Sequence, residues 1–267
     1  MKLPDCSELI LELVDGVIHI TLNRPHKRNA MNSLLVDELM AVLDAVAEAP
    51  AVRVLVLRGA DGNFCAGGDI SGMQIDSNQA DAGDATWLFN RSFGHLISKM
   101  NRAPQLVISL LEGAVLGGGF GLACVSDLAI ADRDAVFAMP ETGLGIIPAQ
   151  IAPFVVARVG LTQARRLALL GERLDGVSAQ QLGLVHHLTD GGQQMRDKLN
   201  ESLALIKRCA PRATAVTKQL LLDSAQNNAI EALLDRAADD FSNAINSDEG
   251  REGTRAFMEK RKPGWAV

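Results

Sequence analysis

One carboxylate and two glycine turns hold most of the chemistry this sequence can offer. Glu141 follows a proline in the apolar stretch "FAMPETGLGIIP", Phe137–Pro148. Burial would raise the pKa of such a carboxyl, which suits a general acid or base near neutral pH. A glutamate opening a helix, or standing in a surface turn, has the same local sequence. The glycine turns are Ala66-Gly67-Gly68-Asp69 and Gly117-Gly118-Gly119. Glycine removes the Cβ that would block a close approach. A helix N-terminus behind the turn adds partial positive charge. Two such turns side by side could aim two N–H groups at one oxygen, forming an oxyanion hole. Two tight turns with close helix–strand packing would explain the same glycines.

The elements that must position these groups are legible in outline. "LILELVDGVIHITLNRP" predicts two strands joined at Asp15-Gly16. A helix is expected from about Asn32, with Leu35, Leu39, Val42 and Val46 on one face. "VRVLVLRG" reads as a strand, which places the first glycine turn after Val54–Leu57. A second helix runs to about Met100, with Phe89, Phe93, Leu96 and Met100 on one side. "QLVISLLEGAVLGGG" gives one or two strands and then the glycine triplet, and each glycine turn is expected to lead into a helix. "DLAIADRDAVFAMPE" gives two short strands. From Gln150 to Lys260 helical periodicity dominates, apart from a possible strand around Val185. The whole reads as an α/β core followed by a helical region.

Composition narrows the functional classes. The chain has 267 residues, 48% hydrophobic and 22% charged, an ordinary globular balance. The 26 basic residues against 32 acidic ones give a net charge of −6, so nucleic acid is not an expected partner. Cys6, Cys65, Cys124 and Cys209 form no CxxC pair and fit no zinc spacing. They are expected as free thiols in a reducing compartment. No signal-peptide h-region and no long apolar run is present, so a soluble cytoplasmic protein is expected, without membrane. Walker A and G-x-S-x-G motifs are missing, and "GLGIIP" lacks the third glycine of a dinucleotide fingerprint. His186 and His187 would point to opposite sides of a strand, and no metal site is expected.

Taken together, several segments resemble the crotonase superfamily, the enoyl-CoA hydratases and isomerases. They are "LNRPHKRNAMN", "FCAGGDI", "APQLVISLLEGAVLGGGFGLACVSDLAIA", "FAMPETGLGIIP" and "EGTRAFMEKRKPGW", in the family's order along nearly the whole chain. The resemblance implies a spiral of β-β-α units over residues 1–200, holding the acyl-CoA site, and a C-terminal helical trimerisation region over 201–267. It implies homotrimers, often paired into hexamers. It implies an acyl-coenzyme A thioester as substrate, with no separate cofactor. The oxyanion-hole donors fall on the N–H groups of Gly68 and Gly118. Lys27, Arg28, Ala30, Ala66, Asp69 and Ile70 fall where the family lines the coenzyme, and Phe257 and Lys260 on the helix that closes over it.

The chain departs from the family in one place. By the resemblance, the standard hydratases of the family carry a second glutamate in the helix after the glycine triplet, and Gly121 stands there. One carboxylate fits two mechanisms, a one-glutamate hydratase and an isomerase that moves a proton between two carbons. "GLGIIPAQIAPFVV" resembles the hydratases of 3-methylglutaconyl-CoA and isohexenylglutaconyl-CoA, in leucine and acyclic-terpene breakdown. Those also lack the second glutamate, and their substrates carry a carboxylate of their own. The resemblance therefore favours a glutaconyl-CoA hydratase, with the isohexenyl substrate slightly ahead. That carboxylate would supply part of the missing polar framework, and Gln150 is a candidate for touching the acyl tail. A Δ3-Δ2-enoyl-CoA isomerase and a non-catalytic acyl-CoA-binding or RNA-associated protein are the alternatives.

Overall fold

The computed structural model describes residues 3–69, 82–226 and 229–266. It divides into two compact units, Met1–Lys198 and Leu199–Val267. The first is α/β. Strands β1 (Leu9–Val14) and β2 (Val17–Leu22) form the expected hairpin. Asp15 (φ 48°) and Gly16 (φ 76°) are both left-handed, the backbone a two-residue turn needs to match strand twist.

Asn32 caps α1 (Ser33–Val46), its Oδ1 accepting the Leu35 N–H at 2.9 Å. The apolar face of α1 is fully buried at Leu35, Leu39, Val42 and Val46. β3 (Val54–Gly59) lies between β2 and β4, parallel to both, and is apolar on both faces as a central parallel strand must be.

From β3 onward the chain repeats one move. A strand enters a six-stranded sheet, the next extended segment crosses to a smaller sheet, and a helix returns. β3 is followed by Cys65, which bridges to Val115 of the smaller sheet, and later by α2 (Ala82–Asn101). β4 (Leu106–Leu111) is followed by β5 (Ala114–Leu116) and α3 (Gly118–Cys124). β6 (Leu128–Asp132) is followed by β7 (Val136–Ala138) and α4 (Ala152–Leu170). The unit is completed by β8 (Arg173–Leu174), α5 (Gly176–Gln181), β9 (His187–Thr189) and α6 (Gly192–Ile206), which runs across the boundary at Lys198. The large sheet has the order β1-β2-β3-β4-β6-β9, the small one β5-β7-β8. These are the expected β-β-α units.

Two details differ from expectation. β9 begins at His187, not around Val185, because Leu184 and Val185 are buried in the core before the strand starts. The two-residue strand β8 carried no periodicity that sequence could show.

The second unit is helical, with α7 (Pro211–Gln226), α8 (Ile230–Asn246) and α9 (Asp248–Met258). The Glu249 carboxylate accepts the N–H groups of Arg212 (3.1 Å) and Ala213 (2.9 Å) at the start of α7. Arg261 pairs with both Glu252 and Glu259 at 2.7 Å, and hydrogen bonds from its guanidinium hold the Glu252 carboxyl down at about 2.

Candidate active site

The small sheet brings the two glycine turns together. Cys65 donates to the Ala114 carbonyl (2.8 Å), and Leu116 donates back to Cys65 (2.9 Å), so Ala66–Gly68 leaves alongside the end of β5. A β-carbon on Gly67 would lie 3.2 Å from the Leu116 carbonyl oxygen and 3.7 Å from the Gly117 α-carbon. On the other flank, Met31 donates to Gly67 O and accepts from Asp69 N, both at 2.8 Å. That bridge uses the carbonyl of Gly67 and the N–H of Asp69, the groups on either side of Gly68. The N–H of Gly68 has no partner among the described residues. The same holds for Gly118, the first residue of α3, whose N–H has no acceptor within the helix.

Glu141 reaches this point through β7. Leu116 pairs with Ala138, and Gly117 donates to the Ala138 carbonyl at 3.0 Å. Three residues later Glu141 opens a short 3-10 turn, Glu141–Leu144. Its Oε1 lies 2.9 Å from where a β-carbon on Gly117 would be. Its Oε2 is buried without a hydrogen-bond partner. Desolvation pushes the Glu141 carboxyl above the usual carboxylate range, and its own backbone N–H opposes this weakly.

These groups line one cavity of about 560 Å³ in the first unit. Its polar wall holds Gly68, Gly118, Glu141, Thr86, Asn90 and Gln150. Its apolar wall includes Phe93, Trp87, Leu144, Ile146 and Ile147. Glu141 is the sole acid among the described lining residues. Gln150 Nε2 donates to Asn90 Oδ1 (2.7 Å), and Arg91 Nη1 donates to Gln150 Oε1 (3.4 Å). At Gly121, a β-carbon would run into Cγ2 of Ile151 and come within 3.0 Å of Ile97 Cδ1. Hydrocarbon fills the place where a second glutamate was looked for.

A family model described as enoyl-CoA hydratase/isomerase matches residues 12–267. The chain belongs to the enoyl-CoA hydratase/isomerase family. It is 33% identical over 261 residues to the 1,2-epoxyphenylacetyl-CoA isomerase of Escherichia coli K12, covering 96% of this chain and 97% of that one. The 2,3-dehydroadipyl-CoA hydratase of the same organism is 31% identical over 258 residues, covering 96% and 98%. Among solved structures, Pseudomonas aeruginosa AtuE is 56% identical with a TM-score of 0.93, covering 98% of this chain and all of that one. The fold is therefore the α/β crotonase fold, and an acyl-CoA substrate fits this family.

The residues expected to line the coenzyme differ in their surroundings. Ala66 lines the cavity beside Gly68. The Asp69 carboxylate pairs with Arg24 Nη2 at 2.9 Å and Lys27 Nζ at 3.7 Å. Arg28 is exposed with φ 49°, and Ala30 is buried with its carbonyl accepting from Arg24 Nη1. Ile70 lies outside the described residues. Phe257, 85% exposed, and Lys260, φ 54°, belong to the second unit. Sequence reasoning missed Asn90 and Arg91, which sit on α2 among apolar residues that dominate its pattern.

Neither expected absence is contradicted. No group of three His, Cys, Asp or Glu side chains among the described residues could hold a metal ion. His186 Nδ1 accepts the Ala129 N–H at 2.9 Å, and burial pushes the imidazole down to about 4. No described helix is long and apolar enough to cross a membrane.

Proposed function

We propose that this family member is a hydratase of 3-substituted glutaconyl-CoA thioesters. The observation that carries the reading is Glu141, the one acid among the described cavity residues, set against the N–H groups of Gly68 and Gly118, which have no partner among the described residues. The thioester oxygen accepts from both N–H groups, which stabilise it as it gains negative charge. Water adds its oxygen to the β-carbon while Glu141 takes one of its protons. Electrons move through the α-carbon to the thioester oxygen, giving an enolate. The same carboxyl then returns a proton to the α-carbon, and the bound enolate becomes the hydroxyacyl thioester. A carboxyl pushed upward by desolvation can take and release that proton near neutral pH.

Substrate class rests on two supports. Hydrocarbon at Gly121 leaves no room for a second protein carboxylate, and a glutaconyl substrate brings one. The similar hydratase from E. coli is named for 2,3-dehydroadipyl-CoA, also the thioester of a dicarboxylic acid. Tail length follows from the mouth of the cavity, where Trp87 (63% exposed), Leu144 and Ile147 (73% exposed) offer apolar surface to a long branch. This favours the isohexenyl over the methyl substrate. In the second unit, Leu221, Ile230, Leu234 and Phe241 are exposed apolar residues, which supports homotrimer contacts there.

The isomerase is the second reading, because one carboxylate suffices to carry a proton between two carbons. Loss of enoyl-thioester absorbance separates the two, measured on crotonyl-, 3-methylglutaconyl- and isohexenylglutaconyl-CoA in 18O-labelled water. A glutaconyl preference with label in the product supports the hydratase. Product without label would replace it with the isomerase.

A further inference from the structure

We infer that Asn90, Arg91 and Gln150 form the subsite that holds a carboxylate on the acyl tail. This deepens the glutaconyl reading and rests on it. Asn90 and Gln150 line the cavity, and Arg91, outside the lining, reaches it through its 3.4 Å hydrogen bond to Gln150.

The hydrogen-bond inventory gives the direction of recognition. Arg91 donates to Gln150 Oε1, which fixes the way the Gln150 amide faces. Gln150 then donates one Nε2 hydrogen to Asn90 Oδ1. Each amide oxygen thereby accepts one hydrogen bond. Among the described residues, what remains is rich in donors: both Nδ2 hydrogens of Asn90, the second Nε2 hydrogen of Gln150, and the rest of the guanidinium. Among the described residues, Arg91 has no acidic partner. A half-buried cation behind donor-rich amides of a cavity wall matches an anionic acceptor. A planar carboxylate fits the geometry of that fork.

Gly94 is the independent observation. It lies inside α2, where glycine costs about 1 kcal/mol relative to alanine. A β-carbon there would overlap Gln150 Oε1 and come within 2.5 Å of Arg91 Nη1. The missing side chain leaves the space in which these two groups meet. Ile151, next in sequence to Gln150, fills the site beside Gly121. The segment that excludes a protein carboxylate thus also supplies a place for the substrate's own.

The test compares 3-methylglutaconyl-CoA with the uncharged thioester of equal length, 3-methylpent-2-enoyl-CoA. Arg91→Met should lower kcat/KM for the charged substrate about 10- to 100-fold, the weight of hydrogen bonds to a charged group. The neutral substrate should change less than about two-fold, which also serves as the folding control. Arg91→Lys should restore part of the loss, and Asn90→Leu carries the same comparison should Arg91→Met not fold. Equal losses on both substrates would show a structural role and overturn the subsite. A charge preference that survives every variant would overturn it too, while leaving the glutaconyl function standing. No preference in the wild type would overturn both.

Discussion

Cγ2 of Ile151 occupies the space a β-carbon on Gly121 would need. The contact explains why a two-glutamate site cannot be restored by one substitution. Gly121→Glu would bury a charge among Ile151 and Ile97 without a partner, and such burial is strongly unfavourable. Even Gly121→Ala should cost about 1–3 kcal/mol through overpacking. Ile151→Ala alone should cost about 2–5 kcal/mol by leaving a cavity. The double variant should recover part of the sum, because the new methyl fills part of the new space. Chemical denaturation of the three variants measures this coupling. Simple additivity would mean that the two residues do not share the space.

Glu141 should trade stability for activity. Replacing Glu141 by glutamine should lower kcat by about 10²–10⁴-fold, the usual weight of a positioned acid or base. Its pKa is raised in the folded state, so the native protein holds this proton more tightly than the unfolded chain. Stability from the protonated form is therefore complete below the ordinary carboxyl range and is lost as pH rises through the raised value. Glu141→Gln removes that loss. The variant should melt above wild type at neutral pH and level with it in acid. A neutral-pH melting temperature below wild type would contradict the desolvation account.

Much of this site was legible because its groups are local. The turns at Gly67–Gly68 and Gly117–Gly118 and the acid at Glu141 are short-range features, and the expected helix faces at Leu35–Val46 and Leu96–Met100 are buried. What was hidden depends on tertiary contact. Asn90 and Arg91 look like solvent-facing positions of α2 until Gln150, 60 residues on, meets them. The pairing of Asp69 with Arg24, 45 residues earlier, is likewise invisible in its local sequence. The filling of the Gly121 site needs Ile151, 30 residues later, at van der Waals range.

Gly117 should be the least replaceable glycine of its triplet. Its backbone, φ 49° and ψ −115°, is one that residues with a β-carbon rarely adopt. Strain of this kind costs about 1–3 kcal/mol. The added carbon would also stand 2.9 Å from Glu141 Oε1. Gly117→Ala should therefore lower kcat as well as stability, because the carboxylate must move. In Gly118→Ala the carbon meets the flexible end of Met31. Pairing Gly118→Ala with Met31→Ala should recover stability, whereas no single partner substitution should rescue Gly117→Ala. Melting temperatures and initial rates for the four variants decide the matter.

Asp69 should act on binding through the loop it anchors. Arg24, buried, pairs with Asp69 at 2.9 Å and with Glu8 at 3.1 Å, and also donates to the Ala30 carbonyl. Together these contacts tie the loop before Met31 to the turn that contains Gly68. Asp69→Asn removes one carboxylate charge but leaves Glu8. The stability loss should therefore fall below the about 3–5 kcal/mol of a fully orphaned buried charge. The N–H of Asp69, which bonds Met31, is untouched by the substitution. The Gly68 turn should keep its shape, and kcat should fall little. Lys27 loses its 3.7 Å carboxylate neighbour, which raises the local positive charge toward an anionic substrate. The expected outcome is a lower melting temperature with KM for the acyl-CoA unchanged or reduced. A large fall in kcat at unchanged KM would mean instead that Asp69 holds the Gly68 N–H in place.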